Sequence, residues 1–217
     1  MASPVSSCPA AAASHPSSHH HCRGVRPAAG HSFSPPTRIT LVRWTPPRHG
    51  WVKLNFDGSV HNDGSGRASI GGVIRDDHGR VLLAFAERTP HATIGVVEAR
   101  ALIRGLQLAL DHGWNDRLLV EGDDLTLVRL LRCESTHTRI PPAMLDDILW
   151  LLDSFRVCEV QHAYREGNQV ADALCHEAYK AAPAARLWTP GTAMVPFPVW
   201  EKLEDDRRGV LHQRVRA

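Results

Sequence analysis

Val52-Lys53-Leu54-Asn55-Phe56-Asp57-Gly58-Ser59 is the stretch on which the reading of the fold turns. Apolar Val52, Leu54 and Phe56 alternate with polar Lys53, Asn55 and Asp57, the period of a strand with one face in a core. Gly58 and the turn-forming His61-Asn62-Asp63-Gly64-Ser65-Gly66 end the run. Residues 69–75 and 80–87 are again strand-like and flank Asp76-Asp77-His78-Gly79, which predicts a hairpin with Gly79 in the left-handed region. Upstream, Trp44-Thr45-Pro46-Pro47 is a stiff extended lead-in, because each proline fixes φ and biases its predecessor away from helix. Three antiparallel strands in succession are the simplest account.

Beyond them the period changes. Val97, Ala101, Leu102, Ile103, Leu106, Ala109 and Leu110 recur at helical spacing over 95–112, and Gly113 stands where a C-terminal glycine cap belongs. Leu118-Leu119-Val120 predicts a strand, 124–132 a second helix, and 142–154 a third after Pro141-Pro142. Residues 157–163 predict the last strand, and 168–180 a fourth helix. The order implies an α/β domain with a mixed five-stranded sheet, three strands antiparallel and two parallel, flanked by helices.

The domain so predicted spans 44–182 of a 217-residue chain. Before it, residues 1–43 are rich in Ser, Ala, Pro and His and have no hydrophobic period, a composition that predicts a disordered leader. Arginine and serine without any acid also suit an organelle transit peptide, so the expected location is intracellular, with nucleus and organelle both open. Residues 183–217 form a C-terminal tail whose Trp188, Phe197 and Trp200 are expected to pack back onto the domain. No run approaches the roughly 18 apolar residues of a spanning helix, so no membrane partner is expected. The five cysteines are odd in number with no CxxC pair, which argues against a disulfide framework or a zinc site. Residues 51–182 hold 14 Lys/Arg against 19 Asp/Glu, so the predicted domain is acidic and does not advertise a polyanion partner.

An acidic domain with its carboxylates at strand ends and helix starts needs cations to meet a polyanion. Asp57 ends a strand, Glu98 opens a helix, Asp123 follows a strand and Asp172 lies in the last helix. Gathered at one sheet edge, such groups repel one another unless a cation neutralises them, and Mg²⁺ takes oxygen ligands of this kind. Taken singly, each is equally a turn residue or a solvated helix charge.

Their neighbours add a pattern. Asn55-Phe56-Asp57-Gly58-Ser59, Glu98-Ala99-Arg100-Ala101, Glu121-Gly122-Asp123-Asp124 and the run from Arg165 through Asn168 and Asp172 to Leu174 together resemble the type 1 ribonuclease H domain. The likeness is to the plant form found alone or at the ends of non-LTR retroelement polyproteins, and it covers about residues 44–210. The Gly71-Gly72-Val73-Ile74-Arg75-Asp76 strand and the Phe197-Pro198 to Trp200 and Asp205 to Gly209 tail blocks are similar as well. The resemblance implies a ribonuclease H-like fold, a monomer, and hydrolysis of the RNA strand of RNA/DNA hybrids with two Mg²⁺ ions, Mn²⁺ being an alternative. It implies metal ligation and catalysis by Asp57, Glu98, Asp123 and Asp172, with Asp124 where the family usually has serine. It further implies proton transfer or product departure at His162, and substrate contacts at Ser59, Asn62 and Asn168; Asn168 is equally a helix cap and His162 equally a surface residue.

There are departures from the pattern. Residues 133–145 contain Pro141-Pro142 and little positive charge, so the basic helix with which some members grip the DNA strand is missing. Two further readings therefore stand beside an active endonuclease: a domesticated retroelement remnant that binds nucleic acid or protein without turnover, and a related nuclease acting on other structures.

Overall fold

The computed structural model describes residues 38–61, 63–180, 185–191 and 194–216; the leader assigned to 1–43 lies outside them up to residue 37. The elements are β1 (Arg38–Val42), β2 (Val52–Val60), β3 (Ala68–Arg75), β4 (Val81–Thr89), α1 (Ile94–Asp111) and β5 (Arg117–Gly122). Then come α2 (Leu125–Leu131), α3 (Pro142–Asp153), β6 (Val157–His162), a 3₁₀ turn (Arg165–Gly167) and α4 (Gln169–Glu177). The chain closes with β7 (Ala185–Trp188), α5 (Phe197–Arg208) and β8 (His212–Arg216). Among these helices none is long and apolar enough to cross a membrane.

The main sheet runs β6-β5-β2-β3-β4-β7. β2 pairs antiparallel with β3, β3 with β4 and β4 with β7, whereas β2–β5 and β5–β6 are parallel. The mixed sheet is therefore as expected, with β7 as a sixth strand beyond the five predicted. Only Ala185–Trp188 pair there, too short a run to show an alternation. The hairpin turn is also as expected. Gly79 has φ +76°, and the Asp76 carboxylate accepts from the backbone N–H groups of His78 and Arg80.

Strand alternation sorts the side chains into two layers. Leu54 and Phe56 of β2 and Leu83 and Phe85 of β4 bury against α1 and α3, with Leu102, Leu106 and Ile148. The opposite face carries Val73, Ala84 and Ala86 under Val170 and Leu174 of α4 and Val199 of α5. Lys53, Asn55 and Asp57 lie on this second face, which is why three polar residues of β2 are buried.

Outside the predicted domain, residues 38–42 form β1, which pairs with β8 from Arg38↔Arg216 to Val42↔His212. These residues fall in the stretch read as leader. A two-stranded ribbon closed over such a sequence separation leaves no local signal. Of the tail aromatics, Trp188 is buried, but Phe197 and Trp200 stack on each other at 5.9 Å and stay exposed. Val199 holds α5 to the domain instead.

Candidate active site

The strand that begins with Val52 carries Asp57 to a place where two other elements arrive. Gly58 is the reason they can. A Cβ there would stand 2.7 Å from the backbone N of Glu98, so only glycine lets α1 lie directly on β2. The close approach puts Glu98, in the second turn of α1, against the strand, where the Gly58 backbone hydrogen-bonds its carboxylate. β5 runs parallel to β2 as far as the Asn55↔Glu121 rung, and Asp123 follows just past its end. Carboxylate oxygens of Asp57, Glu98 and Asp123 consequently lie within 4.8 Å of one another.

Asp57 and Glu98 are buried and Asp123 is half-buried, so their charges are poorly hydrated. Burial, and then the charges of Asp123 and Asp172, push the Asp57 carboxyl up to about 8. Burial first, with Asp57 and Asp123 next, holds Glu98 well above the usual carboxylate range, and burial raises Asp123. Glu98 Oε2 is buried with no hydrogen-bond partner. Three hard oxygen donors, self-repelling and one of them unsatisfied, are the donor set that suits a small divalent cation. A divalent ion would be held by Asp57, Glu98 and Asp123.

Asp172 is adjacent rather than within this group. Its charge acts on Asp57 and Asp123. Its own oxygen Oδ1 is 3.5 Å from Arg165 Nη2, and Oδ2 is 3.7 Å from His176 Nδ1. Arg165, on the 3₁₀ turn, lowers Asp57 and Asp123 through its charge and so partly offsets the acidic cluster. In the sequence, the one sign of this role for Arg165 is its place as the sole cation between His162 and Asp172.

The remaining expected residues fall as follows. His162 ends β6 with Nε2 3.3 Å from the Asp123 carbonyl oxygen and its ring edge-on to Tyr164 at 5.4 Å. Ser59 is half-buried opposite Ser69 of β3. Asn62 lies outside the described residues. Asn168 is buried and Nδ2 donates to the Phe56 carbonyl at 2.8 Å, with no side-chain cap bond to α4. That side chain ties the start of α4 to β2 and faces inward, so neither a capping role nor an open substrate contact fits its position.

Asp124 stands where the family usually has serine, and its carboxylate has a local task. Oδ1 accepts from the backbone N–H of Thr126 at 2.8 Å and of Leu127 at 3.2 Å, which caps α2. Replacing it with alanine is expected to lower stability by about 1 kcal/mol, and Asp124→Ser by less, as thermal melts would register.

Similarity to known proteins runs in the same direction. A model of the Reverse transcriptase-like family matches residues 55–178. A protein of Arabidopsis thaliana named for ribonuclease H is 28% identical over 178 residues, 80% of this chain, although the chain spans only 27% of that relative's length. Ribonuclease HI of Halobacterium salinarum is 32% identical over 145 residues, 66% of this chain and 71% of the relative. The crystal structure of RNase H1 from that archaeon superposes with a TM-score of 0.53, covering 59% of this chain and 97% of that one at 28% identity. LC11-RNase H1 in complex with an RNA/DNA hybrid superposes with the same score of 0.53, covering 58% and 94% at 25% identity. With a family model matched over residues 55–178, a range that contains Asp57, Glu98, Asp123 and Asp172, and with its fold shared by RNase H1, this chain belongs to the type 1 ribonuclease H-like family.

Proposed function

We propose that this protein is a divalent-metal-dependent endonuclease that hydrolyses the RNA strand of RNA/DNA hybrids. The observation that carries the reading is the convergence of Asp57, Glu98 and Asp123 within 4.8 Å in a family whose LC11 member has been seen with a hybrid bound. Two Mg²⁺ ions, or Mn²⁺, would supply charge neutralisation and Lewis acidity at the scissile phosphate.

The protein's own part is to hold those charges in place. Asp57 reaches in from the sheet, Glu98 from α1 and Asp123 from the end of β5, so the oxygens are fixed by three rigid elements. Asp172, on α4, would add a fourth carboxylate to the ligand set once it leaves its contact with Arg165. In the reaction a water oxygen attacks phosphorus, the bond from phosphorus to the 3′ oxygen breaks, and that oxygen takes up a proton. The products are a 3′-hydroxyl and a 5′-phosphate. His162, whose Nε2 lies 3.3 Å from the Asp123 carbonyl oxygen, would hold or pass a proton as product leaves. Ser59, two residues past Asp57 on β2, would meet a ribose 2′-hydroxyl, the group that distinguishes RNA from DNA.

The test is incubation of the full chain with a labelled hybrid, with Mg²⁺ and with chelator. Metal-dependent cutting of the RNA strand alone is the expected result. Binding without cutting, in Mn²⁺ as well as Mg²⁺, would favour the remnant reading. That reading draws on the engagement of Asp172 with Arg165 and His176 outside the three-carboxylate group. Cutting of single strands or DNA duplexes at equal rates would instead point to a nuclease of broader substrate range.

A further inference from the structure

Below the acidic site lies a second polar cluster that the proposed chemistry does not use. Lys53, Asn55 and Arg75 are each no more than 2% exposed. Arg75 Nη1 donates to Asp206 Oδ2 of α5 at 2.6 Å, and Nη2 donates to Asn55 Oδ1 at 2.8 Å. Trp44 Nε1 donates to the same Asn55 oxygen at 2.9 Å, and the Arg75 guanidinium stacks 3.5 Å over the Trp44 ring. With two donors on its oxygen, the Asn55 amide is oriented so that Nδ2 faces Glu121 Oε2, at 3.2 Å. Glu121 Oε1 in turn takes Lys53 Nζ at 2.7 Å.

The place of this cluster gives it significance. Asn55↔Glu121 is the last parallel rung between β2 and β5. Asp57, further along β2, and Asp123, one residue past the end of β5, each follow that rung by two residues, about 7 Å of extended chain. The side-chain bridge across that rung therefore bears on the gap between the two carboxylates. A small divalent ion tolerates little error in that gap, because its oxygen ligands must sit near ideal octahedral positions. The outermost member, Asp206, lies beyond residues 55–178, the span of the family model, and within the tail block that resembles the family.

We infer that Asp206 and Arg75 are positioning residues for the acidic site, so that α5, through a relay of Arg75, Asn55 and Glu121, sets how tightly Asp57 and Asp123 hold a divalent ion. The inference rests on the metal-binding reading of Asp57, Glu98 and Asp123. Calorimetric titration of the full chain with Mn²⁺ tests it, beside Asp57→Asn as a site control. Asp206→Asn is expected to weaken Mn²⁺ by about 10-fold, the low end of the range for a direct outer partner of a metal ligand, because Asp206 acts on the ligands only through the strands that carry them. Asp206→Asn leaves a buried guanidinium without its counter-charge and can unfold the chain. The Arg75→Met/Asp206→Leu pair removes both charges together and is compatible with a stable core. This double variant is expected to keep its thermal midpoint and still bind Mn²⁺ about 10-fold more weakly, because the Asn55 amide has lost a donor. Native Mn²⁺ affinity in the folded double variant would overturn the inference and leave the pair a structural tie. If the unsubstituted protein takes up no Mn²⁺, the positioning role falls together with the metal reading. The two failures are thus told apart by the unsubstituted protein alone.

Discussion

Asp57→Asn is expected to abolish hybrid cleavage while making the metal-free protein more stable. The substitution removes one of three converging carboxylates and with it part of the charge that would hold a divalent ion. A loss on the order of 10³-fold in rate, equivalent to about 4 kcal/mol, is the expected scale. Stability moves the other way because Asp57 is raised to about 8 by burial first and by Asp123 and Asp172 next. Between its ordinary value of 3.8 and about 8 the folded state holds a proton that the unfolded state has released. Stability of the metal-free protein therefore falls as pH rises through that window, and the asparagine variant loses this dependence. At pH 8 the variant should melt about 5 °C above the unsubstituted protein, with a smaller difference at pH 5. Metal uptake has the complementary sign: it displaces the proton, so apparent affinity rises with pH up to about 8. Thermal melts at the two pH values, with and without Mg²⁺, check both halves. A variant that is less stable at pH 8 would show that Asp57 is held by favourable partners rather than by repulsion.

Gly58→Ala should damage the fold and the site together. The added methyl would meet the Glu98 backbone N at 2.7 Å and the Val97 backbone C at 2.8 Å, and backbone cannot swing aside as a flexible side chain can. α1 would have to move off β2, disturbing the Leu54 and Phe56 packing beneath it. Overpacking of this sort costs about 3 kcal/mol. Because Glu98 rides on the displaced segment, cleavage should fall even at temperatures where the variant is folded. Melting curves and single-turnover cleavage at low temperature measure the two effects separately. Unchanged cleavage in a destabilised but folded variant would mean that Glu98 reaches its position by side-chain adjustment alone.

Much of this architecture was legible in the chain. The alternation from Val52 to Asp57 placed β2 and told which of its residues share the apolar, core-facing side, because successive side chains of a strand point to opposite faces. The Asp76–Gly79 turn was readable for an equally local reason, since Gly79 supplies the left-handed φ and Asp76 the side-chain acceptor. The helix over 95–112 appears as Ile94–Asp111, with Gly113 at positive φ beyond it. Each depends on neighbours within a few positions, where period and turn chemistry act directly. The acidic residues were visible as a pattern, but not the inequality among them. Only packing decides that Asp57, Glu98 and Asp123 meet while Asp172 pairs with Arg165.

What escaped the sequence is long-range and polar. Lys53 and Asn55 look like the solvent-facing half of an alternating strand, yet both are buried. That side of the strand is covered by Trp44, folded back from the lead-in, and by the tie through Arg75 to Asp206 of α5, which lies far along the chain. The β1–β8 ribbon and the β7 edge strand escaped for the same reason, since hydrogen bonding between distant, short segments has no period of its own. By itself, then, the sequence determined the strand and helix order within the predicted domain and the apolar side of β2, both set by local spacing, while the four acidic residues stood out through their likeness to the ribonuclease H blocks. The tertiary structure alone decided which carboxylates share a site, how burial and mutual repulsion raise them, and that a buried ionic relay ties the C-terminal helix to the strands beneath them. Those outcomes depend on distances between residues far apart in the chain, which only folding creates.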